Sequence, residues 1–257
     1  MAVFYIRAYL GPRSQALLRW RPALGFIIFG ALVNALCFVH GTKWAMGRAR
    51  PSVVFKKHLA FSDWYEFGPH FISEGAYRGS FPSGHTNSAF LLMLLAYALA
   101  GNPKHSLQTR LTGWFLGLGS LGFAASMAIA RSMAFSHWIS DGIIGMLLAW
   151  ALIHINYFWI LRVPEQNLYY SALPDPRKVP LLWELRLGIW VIGFTVGLVC
   201  LVFGMRAFFL PVSGWYVLLA PVGLSVSIFF AVLARRLYRR FSLPLKTTKA
   251  NNGPATG

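Results

Sequence analysis

Six long apolar segments, separated by shorter polar stretches, constrain this chain more than any other feature. A helix needs roughly 20 mainly apolar residues to cross the hydrocarbon core of a bilayer. Hydrophobic residues make up 56% of the 257 residues and charged residues 12%, which is too apolar for an ordinary soluble domain. The sequence therefore predicts an all-α fold, a polytopic membrane helical bundle in which residues 1-257 form a single integral-membrane domain. The six predicted transmembrane helices are 22-40, 86-101, 111-130, 138-161, 186-205 and 213-234.

The net charge of +17 is distributed unevenly along this topology. If the N-terminus is cytoplasmic, 16 of the 24 Lys and Arg residues fall on the cytoplasmic side, as the positive-inside rule expects. Both termini are therefore predicted to be cytoplasmic. No basic module with interleaved aromatic residues is present, so a nucleic-acid partner is not expected. This topology places the other eight basic residues outside, and six of them lie between the first two predicted helices. These six indicate an anion site on the outer face: Lys43, Arg48, Arg50, Lys56, Lys57 and Arg78.

The segments outside the predicted helices have simpler interpretations. Residues 1-21 alternate Arg with apolar residues, which predicts an interfacial arm rather than a cleaved signal peptide, and Pro22 suits the first helical turn. The connector 162-185 contains four prolines and is expected to be irregular. The polar residues 243-257 are expected to form a flexible tail. Both cysteines lie inside predicted helices, so no disulfide framework or thiolate metal site is expected.

Three polar clusters are expected to meet on the outer face of the membrane. KWAMGRARP (43-51) follows the first predicted helix, PSGH (82-85) precedes the second, and RSMAFSHWISD (131-141) joins the third to the fourth. Alternating topology places all three at the same leaflet. The sequence therefore predicts an outer-face active site.

The third cluster pairs a histidine with a carboxylate. His137 and Asp141 are four residues apart at a helix start, so their side chains share a face and can hydrogen-bond. A carboxylate on one imidazole nitrogen leaves the other bare as a nucleophile or a metal ligand. The alternative is a pair that only stabilises the helix start.

The second cluster precedes a helix N-terminus, which favours bound phosphate through its free amides and its dipole. Gly84 lets the backbone approach an anion closely, whereas Ser83 could serve only as an N-cap. Capping does not require His85, which could protonate a leaving oxygen.

The first cluster supplies cations for the same site. Lys43, Arg50 and Arg48 suit phosphate oxygens, and Arg131 of the third cluster would add another guanidinium. The alternative is a solvated basic loop attracted to anionic headgroups. The aromatic stretch FSDWYEFGPHFI (61-72) is open to two interpretations, an interfacial anchor or a grip on a lipid headgroup.

The three clusters together resemble the signature of the type 2 phosphatidic acid phosphatase superfamily: K-x-x-x-x-x-x-R-P, PSGH and R-x-x-x-x-x-H-x-x-x-D. The resemblance covers about residues 22-161 and implies a membrane lipid phosphatase that needs no cofactor and no metal. By similarity, His137 would attack phosphorus to form a phosphohistidine, Asp141 would orient His137, and His85 would protonate the leaving alkoxide. The phosphate-binding residues implied in the same way are Lys43, Arg50, Ser83, Gly84 and Arg131.

Two departures from the family pattern stand out. Ala130 occupies a position where the family often has Ser, so a hydrogen bond from that hydroxyl is absent. One predicted helix precedes the first motif here and two, within 186-234, follow the core, whereas many six-helix relatives have two before the motif and none after. The last two could shape a lipid groove or an oligomer contact.

The resemblance leaves the substrate open. It implies a lipid phosphate monoester or diphosphate at the outer leaflet, the periplasmic side of a bacterial inner membrane. The basic and aromatic outer loop, residues 41-85 between the first two predicted helices, favours lipid A, with phosphatidylglycerophosphate and undecaprenyl diphosphate as alternatives. Competing hypotheses are a lipid phosphotransferase, a non-enzymatic lipid or anion carrier, and a metal hydrolase that uses His85, His137 and Asp141 as ligands.

Overall fold

A computed structural model describes residues 15-76, 78-172, 182-210 and 212-251, and these residues contain helices and no β-strand. The predicted all-α class is thus confirmed for the part of the chain that is described. Residues 1-14 of the expected interfacial arm lie outside it, as do 252-257 of the expected tail.

The first membrane helix is longer than predicted and changes its winding near one end. Helix α1, Gln15–Leu32, runs directly into a π-helical segment, Val33–Gly41, and then into α2, Thr42–Met46. Pro22 therefore lies inside α1, and not in its first turn as the sequence predicts. A short helix, α3 (Pro51–Lys57), follows after a tight turn.

The central part of the chain contains four helices. Helix α4, Gly84–Phe90, continues beyond Leu91 as α5, Leu92–Ala100. Helix α6, Leu107–Met133, begins after Ser106, whose hydroxyl accepts the Thr109 N–H at 3.2 Å as an N-cap. Helix α7, Ile139–Ile155, ends in a π-helical turn, Asn156–Ile160.

The connector 162-185 is partly helical, contrary to the expectation of an irregular segment. Helix α8, Val163–Ala172, has Pro164 in its first turn, where the missing N–H has no intrahelical partner to lose. An ion pair between Arg162 and Glu165 and a 2.6 Å hydrogen bond from Gln166 to the Leu161 carbonyl stabilise this helix start. Residues 173-181 lie outside the described part.

The last third of the described chain forms a hairpin of two long helices. Helix α9, Trp183–Ala207, packs along α10, Leu219–Asn251, with a 3₁₀ turn, Gly214–Leu218, before α10. The backbone of α10 extends through the first nine residues of the segment expected to be a flexible tail.

Five helices among the described residues are long and apolar enough to cross a membrane. The predicted second span, 86-101, corresponds to α4 and α5, and Gly84–Ala100 is shorter than the other five. At 1.5 Å per residue it extends about 25 Å, close to the lower limit for a spanning helix. By length and composition alone, the described residues therefore contain five membrane-spanning helices and not the six predicted.

The apolar residues divide between a shared core and an outward surface. Phe26, Phe29, Phe90, Tyr157 and Trp183 are fully buried where α1, α4, α7 and α9 meet. The outer faces of α6 and α10 instead expose large apolar side chains that water would solvate poorly. Together with the five long apolar helices, this surface indicates an integral membrane protein.

Candidate active site

The first cluster turns back on itself where the first helix ends. Gly47 follows α2 in the left-handed conformation, with φ of 63°, and its N–H bonds to the Lys43 carbonyl at 3.1 Å. Glycine adopts this conformation at little cost and commonly ends helices in this way. Arg50 is extended and precedes Pro51, the first residue of α3. The turn keeps Lys43 and Arg50 close enough for their charges to interact.

The second cluster forms the start of α4, and Ser83 is its N-cap. The Ser83 hydroxyl accepts hydrogen bonds from the Thr86 N–H at 3.4 Å and from the Thr86 hydroxyl at 3.0 Å. These two bonds occupy both lone pairs, so the Ser83 O–H remains available as a donor. A Cβ at Gly84 would lie 4.0 Å from the Lys43 ammonium nitrogen, which places that cation beside the helix N-terminus. The capping interpretation of Ser83 is confirmed, and it leaves phosphate binding possible.

The buried His137 is held by a backbone carbonyl and not by the carboxylate expected from the sequence. Its Nδ1 lies 2.7 Å from the Ser80 carbonyl oxygen and 3.6 Å from Asp141 Oδ2. A carbonyl only accepts hydrogen bonds, so Nδ1 must carry the proton and Nε2 must carry the free lone pair. The Ser80 backbone therefore sets the tautomer that a nucleophilic histidine needs.

Asp141 joins the three clusters from a fully buried position. Its carboxylate accepts a hydrogen bond from Arg48 Nη1 at 2.6 Å, one from the Ser80 hydroxyl, and one from the Trp138 N–H at 2.8 Å. The Asp141 carbonyl also accepts the Ser83 N–H at 3.2 Å. Asp141, in the third cluster, therefore contacts both the first and the second cluster.

Arg48 does not lie with the other cations, although it belongs to the same basic cluster. It is 2% exposed, and besides Asp141 it donates to the Ser62 carbonyl at 2.8 Å and the Ser140 hydroxyl at 3.0 Å. Its guanidinium lies 5.4 Å from the Phe61 ring centroid and 5.7 Å from that of Trp138. Arg48 thus bonds to groups in the protein interior. The structure does not support the phosphate-binding role that the sequence suggested for it.

Close packing of α7 brings the third cluster against the second. A Cβ at Gly145 would lie 2.9 Å from the Pro82 Cβ, so only glycine permits this approach without displacement. The Trp138 indole also donates to the Ala49 carbonyl at 2.9 Å, and the Ser52 N–H donates to the Phe135 carbonyl at 3.0 Å. These contacts confirm that the three clusters meet.

Positive charge surrounds the exposed His85. The charges of Arg131, Lys43 and Arg50 all act on its imidazole. Arg131 Nε is buried and finds no hydrogen-bond partner within the described residues. An unsatisfied buried guanidinium N–H is costly, and an anion bound among these cations would satisfy it.

Burial lowers the pKa of His137 below its ordinary value, and the charges of Lys43 and Arg50 act in the same direction. The Asp141 carboxylate opposes this shift in part. His137 is therefore neutral at pH 7, the state in which its Nε2 can attack an electrophile.

The metal-ligand set considered from the sequence does not assemble. Across the described ranges, no three His, Cys, Asp or Glu side chains converge in a way that could hold a metal ion. The Asp141 oxygens instead face Arg48, Ser80 and Trp138. The N–H donors and cations of this site therefore suit an anion.

Sequence reasoning missed one residue that shapes this site, Ser80, and gave another, Arg48, the wrong role. Ser80 lies two residues before the PSGH motif, and its carbonyl could have come from any residue type, so no sequence signal marked it. Arg48 stood among the basic residues, but its pairing with Asp141 depends on the fold. Ala130, the departure from the family pattern, is exposed.

Comparison with protein families gives a match over most of the membrane core. A family model described as the PAP2 superfamily matches residues 24–165, which is more than half of the chain and includes all three clusters. No solved structure gives a match to the chain. Helices α9 and α10 lie beyond the matched region.

Proposed function

Because the chain belongs to the PAP2 superfamily, a family of phosphatases, we propose that it is an integral-membrane lipid phosphatase. It hydrolyses a lipid phosphate monoester or diphosphate through a phosphohistidine on His137 and uses no metal. The active site faces the periplasm of a bacterial inner membrane, with both termini in the cytoplasm. The distribution of basic residues supports this orientation.

In the first step, His137 Nε2 attacks phosphorus and the bond from phosphorus to the lipid oxygen breaks. His85 donates its proton to the departing oxygen, so that the lipid leaves as a neutral alcohol or, from a diphosphate, as a monophosphate. The barrier in phosphoryl transfer is mainly one of charge and alignment, which fixed cations and amides reduce. Lys43, Arg50, Arg131, Ser83 and the Gly84 amide hold the nonbridging oxygens.

In the second step, water attacks the phosphohistidine and gives a proton to His85. The phosphorus–nitrogen bond breaks, phosphate leaves, and His137 returns to its neutral form. Asp141, 3.6 Å from Nδ1, stabilises the positive charge that the imidazole carries in the intermediate. In this scheme Asp141 acts by charge and by positioning, while the Ser80 carbonyl orients the ring.

One observation carries this proposal: the hydrogen bond from His137 Nδ1 to the Ser80 carbonyl. It leaves the nucleophilic lone pair on Nε2 of a neutral, buried imidazole, beside cations one of which has an unsatisfied buried N–H. A histidine that only stabilised a helix start would need neither the fixed tautomer nor the cations.

Lipid A is the narrower substrate proposal. The outer loop combines exposed basic residues, Lys56 and Lys57, with exposed aromatic residues, Phe55, Phe61 and Tyr65. Phe55 and Phe61 pack against Trp138, next to His137. A large polyanionic headgroup could therefore contact positive charge and apolar surface in the same loop, next to His137.

The test is phosphate release from a panel of lipids in detergent: lipid A, phosphatidic acid, phosphatidylglycerophosphate and undecaprenyl diphosphate. The wild type should release phosphate from at least one lipid, and His137→Ala should release none. His154→Ala is the matched control, because His154 is exposed near the other end of α7 and should leave activity unchanged.

Each result of the panel has a definite meaning. No release from any lipid would overturn the phosphatase proposal, and activity in His137→Ala would overturn the nucleophile. Release from undecaprenyl diphosphate but none from lipid A would overturn the narrower proposal. Labelled phosphate that appears on a second lipid instead of in solution would identify a phosphotransferase.

A further inference from the structure

Helix α9 lies outside the matched family region, yet its last turn contacts the first cluster directly. Arg206 donates one hydrogen bond from Nη1 to the Ala45 carbonyl at 2.7 Å and another from Nη2 to the Gly68 carbonyl. Ala45 belongs to the segment between Lys43 and Arg50, and Gly68 belongs to the aromatic outer loop. One guanidinium therefore bonds to both segments at once.

Aromatic contacts hold the Arg206 side chain in this position. Its guanidinium lies 4.2 Å from the ring centroid of Phe71 and 5.4 Å from that of Phe67. Phe203, one turn earlier on α9, packs edge-on against Phe71 with centroids 4.9 Å apart. Phe71 is fully buried, so α9 supplies both the charge and the apolar surface of this contact.

The two segments that Arg206 joins are also in direct contact with each other. The Gly68 N–H donates to the Met46 carbonyl at 2.7 Å. Gly47 packs so closely on Phe71 that a Cβ there would lie 2.4 Å from the Phe71 Cα. The turn at Met46 and Gly47 is thus pressed between the outer loop and the end of α9.

We propose that Arg206 is a positioning residue, which fixes the turn between Lys43 and Arg50 so that both cations reach the bound phosphate. This inference rests on the proposed function, because it assigns those cations to phosphate. It also gives a role to α9, which lies beyond the matched family region: its last turn holds the phosphate-binding segment in place. Lysine cannot replace Arg206 fully, because an ammonium lacks the planar fork that reaches two carbonyls.

The experiment compares Arg206→Gln, Arg206→Lys and Phe203→Leu with the wild type in detergent. Arg186→Gln is the matched control, since Arg186 is an exposed arginine at the opposite end of the same helix. Hydrogen–deuterium exchange measures the amides of Gly47 and Gly68, which report the turn whether or not the protein is an enzyme. Steady-state kinetics on the best lipid, with inorganic phosphate as a competitive inhibitor, measures the site.

We expect Arg206→Gln to speed exchange at both amides and to weaken phosphate inhibition and raise KM by about tenfold or more, since small displacements in a site cost up to about 100-fold. The change in kcat should be smaller than the change in KM, because His137 and His85 are not held by Arg206. Arg206→Lys should recover part of both effects, and Phe203→Leu should produce a milder form of them. Arg186→Gln should match the wild type.

The outcomes separate the two proposals. Unchanged hydrogen–deuterium exchange in Arg206→Gln overturns the claim that Arg206 holds the turn, whatever the kinetic results are. Faster exchange with unchanged KM and phosphate inhibition overturns the positioning role alone. If Arg206→Gln does not fold, unaltered exchange and KM in both Arg206→Lys and Phe203→Leu overturn the inference. A wild type that is inactive on every lipid overturns the proposed function, while the exchange measurement still decides whether Arg206 holds the turn.

Discussion

Removal of Arg48 should be among the most damaging single substitutions outside the reacting groups. Arg48→Met keeps the length of the side chain and its packing between Phe61 and Trp138, but removes the charge. Asp141 would then be a fully buried carboxylate without its cation, and the Ser62 carbonyl would lose its donor. Breaking a buried ion pair by removal of one partner costs about 3–5 kcal/mol. We expect the free energy of unfolding to fall by that amount.

The assay is denaturant unfolding in detergent micelles, with Arg78→Met as the control because Arg78 is exposed in the same outer loop. The control should change the free energy of unfolding by no more than about 0.5 kcal/mol. The double variant Arg48→Met/Asp141→Asn removes both charges and should cost less than the sum of the two single variants, by about 0.5–3 kcal/mol. A cost for Arg48→Met no larger than that of the control, or strict additivity in the double variant, would refute the reasoning.

Three further predictions concern the chemistry. The acid limb of the kcat/KM profile should have its midpoint below pH 6.5, because burial lowers the pKa of His137 and only the neutral ring attacks; a midpoint above that value would contradict this assignment. His85→Gln should slow lipid phosphate hydrolysis by about 100-fold or more but affect p-nitrophenyl phosphate far less, because nitrophenolate leaves without a proton; equal losses on both substrates would remove His85 from the role of acid. Prolonged treatment with a chelator should leave activity unchanged, and a loss that zinc restores would favour the metal hydrolase instead.

The sequence was sufficient to predict the fold class and the convergence of the three clusters. Periodic apolar runs require helices in a membrane, and alternating topology then leaves few places where Lys43, Ser83 and His137 can lie. The matched family region, residues 24–165, differs by only a few residues from the 22-161 expected from the motifs. These predictions succeed because they depend on local sequence patterns or on a topology that the membrane dictates.

The errors arose where tertiary contacts override local pattern. The i, i+4 spacing of His137 and Asp141 predicts a hydrogen bond, but Asp141 has three better-placed donors and the Ser80 carbonyl takes the imidazole N–H. The prolines of the connector indicate irregular chain, yet Pro164 falls where a helix tolerates it. Nothing in the sequence signals that Arg206 would meet Ala45, because that contact joins residues far apart in the chain.

The phosphorylated histidine is the central claim, and rapid quenching tests it most directly. Wild-type protein is mixed with a lipid carrying radiolabelled phosphate, quenched in alkali within the first turnover, and digested to locate the label. The account predicts a label that is stable to alkali and labile to acid, on the peptide that contains His137, and absent from His137→Ala. Full turnover of the lipid with no labelled protein at any quench time, or a label on another residue, would contradict it.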